Sequence, residues 1–240
     1  YPFLAVNYIT APPRMALYMA YSRRVYEVYL EFVSKEDIHV YSVDEVFMDL
    51  KPYERIYQKS SRALAEEICR RVYEEVGMIA TVGLGENLYL AKVAMDIEAK
   101  HMQASKEGIR LAMLTEQSYR ESLWQHKPLH DFWRIGRGIE NRLAHYGIYT
   151  MGDIAMAALS GSKEKKNQVL LYKLFGIQAE LLIDHAFGYE TCRMEDIKAF
   201  HSKSNSLHSG QVLPSPYGFS EGRMVAEEMA EDLALDLLKK

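Results

Sequence analysis

Two adjacent carboxylates, Asp44 and Glu45, interrupt the run Tyr41-Ser42-Val43-Asp44-Glu45-Val46-Phe47-Met48-Asp49, which is otherwise largely apolar and strand-forming. Burying a carboxylate is costly unless a cation compensates it, so the pair points to a bound positive charge. Successive strand residues face opposite ways, and both acids reach one cation only if the chain turns between two strands at this point. A divalent metal held by carboxylates and substrate phosphates suits such a pair, and hard oxygen donors favour Mg²⁺. A hairpin tip carrying two solvated acids is the competing reading.

A second candidate is Gly83-Leu84-Gly85-Glu86-Asn87, which joins a strand-like stretch to a helix bearing Lys92. Backbone N–H groups at such a turn, the positive end of the helix and a lysine one turn in could cradle a triphosphate. Neither GxxxxGK[ST] nor GxGxxG is present, and a tight turn followed by a lysine on a wet helix face fits the same residues. The third candidate is Phe132-Trp133-Arg134-Ile135-Gly136-Arg137-Gly138-Ile139-Glu140-Asn141-Arg142-Leu143, followed by Gly147-Ile148-Tyr149-Thr150. It reads as two short helices joined by a Gly-x-Gly hairpin whose N–H groups at Gly136 and Gly138 would meet a phosphate, with Arg134 and Arg137 adding counter-charge. A helix-hairpin-helix element holds a nucleic-acid backbone in this way without reading bases, and a plain interhelical turn is the alternative. The eight histidines form no HExxH and no pair with cysteine at ligand spacing, so zinc is not expected. Tyr18, Tyr21, Tyr26 and Tyr29 recur at helical spacing and are expected to pack rather than to stack on bases.

The elements that would position these groups follow from periodicity and punctuation. Pro12 and Pro13 open a helix from about Arg14 to Phe32, and Ile38 to Leu50 reads as strand, tight turn, strand. Apolar residues at Ile56, Leu64, Ile68, Val72 and Val76 predict one amphipathic helix over about 54–76, stopped by Gly77. Met78 to Leu84 is strand-like, Asn87 caps a helix to about Lys100, and Gly108 to Leu114 supplies another strand. From Thr115 short helices alternate with Gly and Pro, with Thr150-x-x-Asp153 as a capping box and Gly176 and Gly188 as stops. Ser204 to Leu213 reads as a strand and Ser220 to Lys240 as a helix with Val225, Met229, Leu233 and Leu237 on one face.

The chain has 240 residues, 48% hydrophobic and 26% charged, which excludes disorder, collagen-like repeats and coiled coil. No apolar run reaches the roughly 18 residues of a membrane span, so no membrane role is expected. Cys69 and Cys192 are far apart, which suits a reducing, cytoplasmic compartment, and Tyr1 to Thr10 carries no secretory signal. A start at Tyr1 without methionine suggests a fragment. Net charge is −4 and falls mostly after Phe219; bases gather at Arg14/Arg23/Arg24, Arg134/Arg137/Arg142 and Lys163/Lys165/Lys166.

In their order, Pro12-Pro13-Arg14-Met15, Tyr41-Ser42-Val43-Asp44-Glu45, Ala80-Thr81-Val82-Gly83 through Asn87-Leu88-Tyr89-Leu90-Ala91-Lys92-Val93-Ala94, and Asp131-Phe132-Trp133-Arg134-Ile135-Gly136 resemble the Y-family translesion DNA polymerases, above all the UmuC-like ultraviolet-damage-repair branch of Gram-positive bacteria. The resemblance implies an α+β fold: a partial palm with a mixed sheet and packed helices over 1–114, an all-α thumb over 115–198, and the start of a little finger over 199–240. It makes Asp44 and Glu45 the family's second and third metal-binding acids, with Mg²⁺ as cofactor, and Lys92 the lysine on the incoming triphosphate. Ser42, Arg134, Gly136, Arg137 and Gly138 fall on the DNA side. Primer-template DNA and a deoxynucleoside triphosphate are the implied partners, with a sliding clamp as a further candidate, in SOS-linked repair. The family's first catalytic aspartate, its fingers and most of its little finger have no counterpart in the sequence, so the 240 residues alone are expected to be inactive. Two other classes stay open: a non-catalytic DNA-backbone-binding remnant, and a metal-dependent phosphohydrolase using the same acids.

Overall fold

The computed structural model describes residue 9 and residues 11–105, 108–161, 164–201 and 206–238. Two compact units emerge, Tyr1–Lys198 and Ala199–Lys240.

In the first unit, helix α1 (Met15–Leu30) leads to strands β1 (Ile38–Val40) and β2 (Val46–Met48). These pair antiparallel with His39 opposite Phe47, and the chain reverses over Tyr41 to Glu45. Helices α2 (Lys51–Tyr57) and α3 (Ser61–Val76) follow in place of the single helix expected over 54–76. The break is at Gln58, in the left-handed region at φ 52°. Ser60 then restarts the helix by accepting from the Ala63 N–H. Helix α3 buries Leu64, Ala65, Ile68, Cys69 and Val72 and ends at Gly77, whose φ of 75° suits glycine.

Strand β3 (Ala80–Gly85), helix α4 (Leu88–Val93) and strand β4 (Ile109–Leu114) form a parallel β-α-β crossover. After Val93 the helix continues as a π turn over Ala94–Glu98 and a 3₁₀ turn over Ala99–His101. The strands therefore stand as two two-stranded sheets, one antiparallel and one parallel, and the α+β class holds while the single mixed sheet does not. Both sheets pack against α3 in one core that includes Val33, Ile38, Leu64, Ile68, Ile109 and Leu111.

Helices α5 (Glu116–Leu123), α6 (Arg137–Ala144), α7 (Met151–Leu159), α8 (Gln168–Phe175), α9 (Gln178–Phe187) and α10 (Met194–Ala199) complete this half. The expected capping box starts α7: Thr150 Oγ1 accepts from the Asp153 N–H at 3.0 Å, and Asp153 Oδ2 accepts from the Thr150 N–H at 3.1 Å. A second core joins Tyr89, Leu90 and Val93 of α4 to Tyr119, Phe132, Leu143, Ile154 and Leu171, so α4 is anchored among the later helices.

In the second unit, α11 (Phe219–Leu238) is the expected terminal helix, with Lys239 and Lys240 outside the described residues. The strand expected over Ser204 to Leu213 is not there: Ser204 and Asn205 lie outside the described residues, and 206–213 is irregular and largely exposed. Its alternating pattern has no neighbouring strand to pair with among the described residues, and an unpaired strand leaves its backbone groups unsatisfied.

Candidate functional site

The acids sit at the β1–β2 reversal. Backbone N–H groups of Tyr41 and Ser42 donate to the Glu45 carbonyl at 3.0 and 3.1 Å, closing the turn. Asp44 is exposed, and its Oδ1 accepts from the Ser42 hydroxyl at 2.7 Å. Glu45 is only 22% exposed in its side chain and pairs with Lys92 Nζ at 2.7 Å. The two neighbours thus have different surroundings, one open and one held under a lysine.

The strand-to-helix turn supplies that lysine. Asn87 caps α4 by accepting from the Leu90 N–H at 2.8 Å and ties the turn down by donating to the Gly188 carbonyl at 2.9 Å. Three residues apart on α4, Tyr89 points into the helical core while Lys92 faces the acids. Its side chain is 8% exposed, so it is not a lysine on a wet helix face. Lys92 also reaches Asp96 at 3.0 Å, and Lys100 reaches Asp96 at 2.6 Å and Glu45 at 3.6 Å. Burial pulls the Lys100 ammonium down, but Asp96 and Glu45 outweigh it and hold its pKa above the ordinary value. The sequence places Asp96 on a helix of unknown orientation and gives Lys100 no role. Their signal is the spacing of four between Lys92, Asp96 and Lys100, which the π turn and the 3₁₀ turn bring under Glu45. Asp49, by contrast, is exposed and accepts from the Lys51 N–H at 3.0 Å, supporting the start of α2.

Asp44, Glu45, Gly83, Gly85, Asn87 and Lys92 line one cleft of about 1010 Å³. Its apolar wall includes Cys69, whose thiol is pushed up to about 12 by burial and then by Glu66, so it is no nucleophile. Among the described residues no three His, Cys, Asp or Glu side chains converge as a metal site. One or two carboxylates plus substrate phosphates are nonetheless the donors Mg²⁺ takes in nucleotide sites. Exposed Asp44 offers oxygens of that kind at the cleft, whereas the Glu45 oxygens face the Lys92 and Lys100 ammonium groups, so an ion reaching Glu45 would displace or share it with those lysines.

The expected pair of helices joined at Gly136-x-Gly138 is instead a helix start: a 3₁₀ turn over Leu129–Asp131 and a short loop lead to Gly136, and Arg137 and Gly138 already belong to α6. Gly136 is the residue preceding α6, without a side-chain cap, and a Cβ at Gly136 or Gly138 would meet nothing within 4 Å. Arg137 is exposed, and Arg134 is exposed with its guanidinium 5.8 Å from the Trp133 ring centroid. Arg134 holds φ 69°, a left-handed conformation that favours glycine. Arg142 is engaged elsewhere, donating to the Leu174 carbonyl and covering Phe175. In the other basic clusters, Arg23 pairs with Glu27, Arg24 donates to the Glu75 carbonyl, Lys166 donates to the Gly147 carbonyl, and Lys163 lies outside the described residues. Tyr18 and Tyr21 are exposed, whereas Tyr26 and Tyr29 pack on the core as expected.

Beneath the Arg134–Gly138 segment, the buried His185 ring lies parallel to Tyr89 at 3.9 Å and pairs with Glu190 at 3.0 Å. Burial lowers its pKa below the ordinary value, against the opposing pull of Glu190. A depressed histidine favours the folded state fully above its unfolded value of about 6.5, and that contribution is lost as pH falls through the folded value. The urea-unfolding free energy should therefore fall between pH 7.5 and 5, and His185→Gln should flatten part of that slope. An unchanged slope in the variant would remove His185 as its source.

An acid-bearing turn thus faces a β-α-β turn with an inward lysine, and a helical half follows it, in an α+β fold. Residues 3–96 match the impB/mucB/samB family. The chain is 31% identical over 224 residues to a Bacillus subtilis protein named for UV-damage repair, UvrX, covering 92% of this chain and 48% of that protein. It is 28% identical over 223 residues to DNA polymerase IV 2 of the same organism, covering 92% and 49%. The crystal structure of a DinB family error-prone DNA polymerase from Sulfolobus solfataricus superposes with a TM-score of 0.56 at 25% identity, over 74% of this chain and 48% of that one. The chain thus spans about half the length of these relatives. No described helix is long and apolar enough to cross a membrane.

Proposed function

We propose that this chain provides the nucleotide-binding and DNA-gripping half of a template-directed DNA polymerase that synthesises past lesions. The observation that carries the reading is the shared cleft of Asp44, Glu45 and Lys92 beside the Gly83–Asn87 turn. The partners are primer-template DNA and a deoxynucleoside triphosphate, and the residues up to 114 act as palm, with 115–198 as thumb. The relatives' names, for UV-damage repair and DNA polymerase, support it.

Asp44 and Glu45 would hold Mg²⁺, which when bound activates the primer 3′-hydroxyl and offsets charge on the phosphates. Lys92, already on Glu45, turns its ammonium to the triphosphate and neutralises the leaving group. Asp96 and Lys100 keep Lys92 and Glu45 in register. Arg134, Arg137 and the Gly136–Gly138 amides hold the DNA backbone, so affinity should fall with salt. Ser42 on the DNA side also buttresses Asp44 through its hydroxyl.

The test is equilibrium binding of Mg²⁺-dATP to the 240-residue chain. Asp44→Asn and Lys92→Met should each weaken it about tenfold or more, the cost of about 1.4 kcal/mol of charge-assisted contact. Equal binding by all three proteins would refute the reading. Primer extension by the 240 residues alone should be negligible, because two carboxylates position the metals poorly. A second reading, DNA-backbone binding without catalysis, draws on the open Gly136–Gly138 segment, which needs neither acid; it expects duplex binding that survives Asp44→Ala with no nucleotide binding.

A further inference from the structure

Trp133 links the acid turn to the segment that opens α6. Trp133 is partly buried, and its indole N–H donates to the Tyr41 hydroxyl at 3.1 Å, across 92 residues of sequence. Its ring meets Tyr41 edge-on at 5.9 Å and Phe47 at 5.7 Å, and lies 16° from parallel to His185 at 6.2 Å. Tyr41 is equally committed on the other side. Its backbone N–H closes the turn on Glu45, and Lys92 Nζ stands 5.7 Å from its ring centroid. The residue after Trp133 is Arg134, held at φ 69°, so a shift of the indole moves the start of that segment directly. A hollow of about 440 Å³ beside the ring, lined by Tyr41, Trp133, Arg134, Phe175 and His185, leaves room for that shift.

We propose that Trp133 is a positioning residue that couples occupancy of the Asp44/Glu45 cleft to the grip of the Arg134–Gly138 segment on DNA, through its contact with Tyr41. A nucleotide drawing Lys92 off Glu45 changes what Tyr41 packs against; Tyr41 carries the change to the indole, and the indole re-aims Arg134. Coupling of this kind is reciprocal, so DNA must strengthen nucleotide binding by the same factor as nucleotide strengthens DNA binding. Spatial continuity alone does not establish coupling, so the test measures it.

The proposal rests on the roles of the cleft and of the Arg134–Gly138 segment given under Proposed function. The 240-residue chain is titrated with Mg²⁺-dATP in the absence and presence of a saturating short duplex, and the ratio of the two dissociation constants is the coupling factor. The wild type should show a factor of threefold or more. Trp133→Phe and Tyr41→Phe remove the same hydrogen bond from either end. Each should bring the factor close to one while leaving dATP affinity without DNA within twofold, and the double variant should lower it no further. Trp133→Leu, if folded, should do the same. If the wild type binds both ligands with a factor of one, or the Phe variants keep the wild-type factor, this inference is wrong while the nucleotide and DNA roles stand. If the wild type binds neither ligand, those roles fall and the coupling with them.

Discussion

Gly83→Ala should unfold the β-α-β unit or cost it about 3 kcal/mol or more, lowering the melting temperature by roughly 6–12 °C. A Cβ at Gly83 would collide with the Ala91 carbonyl oxygen and the Met95 backbone nitrogen, and would stand 2.9 Å from the Met95 Cα. These are main-chain atoms of α4 and the π turn after it, so no rotamer change relieves them. The only relief is to lift the helix from β3, which takes Lys92 away from Glu45 and Tyr89 out of the core. Gly138→Ala is the contrast: its Cβ meets nothing within 4 Å inside α6, so stability should stay level or rise by up to about 1 kcal/mol. Urea unfolding of the two variants beside wild type checks both, and a Gly83→Ala protein as stable as wild type would mean that the close helix–strand approach is wrong.

Removing both arginines of the Arg134–Gly138 segment, as Arg134→Gly with Arg137→Gln, should weaken duplex binding roughly 100-fold at low salt and lower the salt-dependence slope by about two. Two charge-assisted phosphate contacts at about 1.5 kcal/mol each give that factor. Glycine is the choice at 134 because it accepts the φ of 69° without strain, so lost affinity reports charge and not a rebuilt turn. Arg142→Gln is the control: that guanidinium is occupied by the Leu174 carbonyl and Phe175, so its loss should show in stability more than in affinity. Fluorescence anisotropy with a short labelled duplex measures all three, and equal affinity of the double variant and wild type would take that segment out of DNA binding.

Much of this arrangement can be read from residues near one another in the chain. Asn87 as a cap, Gly77 as a stop and Thr150 with Asp153 as a capping box are local chemistry, and each forms as its side chain dictates. The split between α2 and α3 was hidden because the left-handed residue is Gln58, which carries no glycine signal. Glu54 helps make the break by accepting from the Ser61 N–H at 3.0 Å, a contact that periodicity does not register. The 206–213 segment shows the reverse fault: alternation predicts a strand, but a strand needs a neighbour. At the site, the adjacency of Asp44 and Glu45 was visible and their inequality was not. Nothing around position 45 reveals that a lysine 47 residues later covers one acid and leaves the other open. Trp133 and Tyr41 are further still from any local pattern, since their meeting depends on how α4 is anchored in the second core.

In the proposed function, side chains 44 and 45 jointly take a divalent ion against nucleotide oxygens, with Lys92 beside them. Paramagnetic Mn²⁺ tests it at residue resolution: the ¹⁵N-labelled 240-residue chain is titrated with substoichiometric Mn²⁺ in the presence of dATP, and line broadening is read for every assigned amide. Asp44 and Glu45 should broaden first, Lys92 and the Gly83–Asn87 turn next, and Asp44→Asn should abolish the pattern. Broadening centred elsewhere, or none at 44 and 45 while the ion is bound, would contradict it.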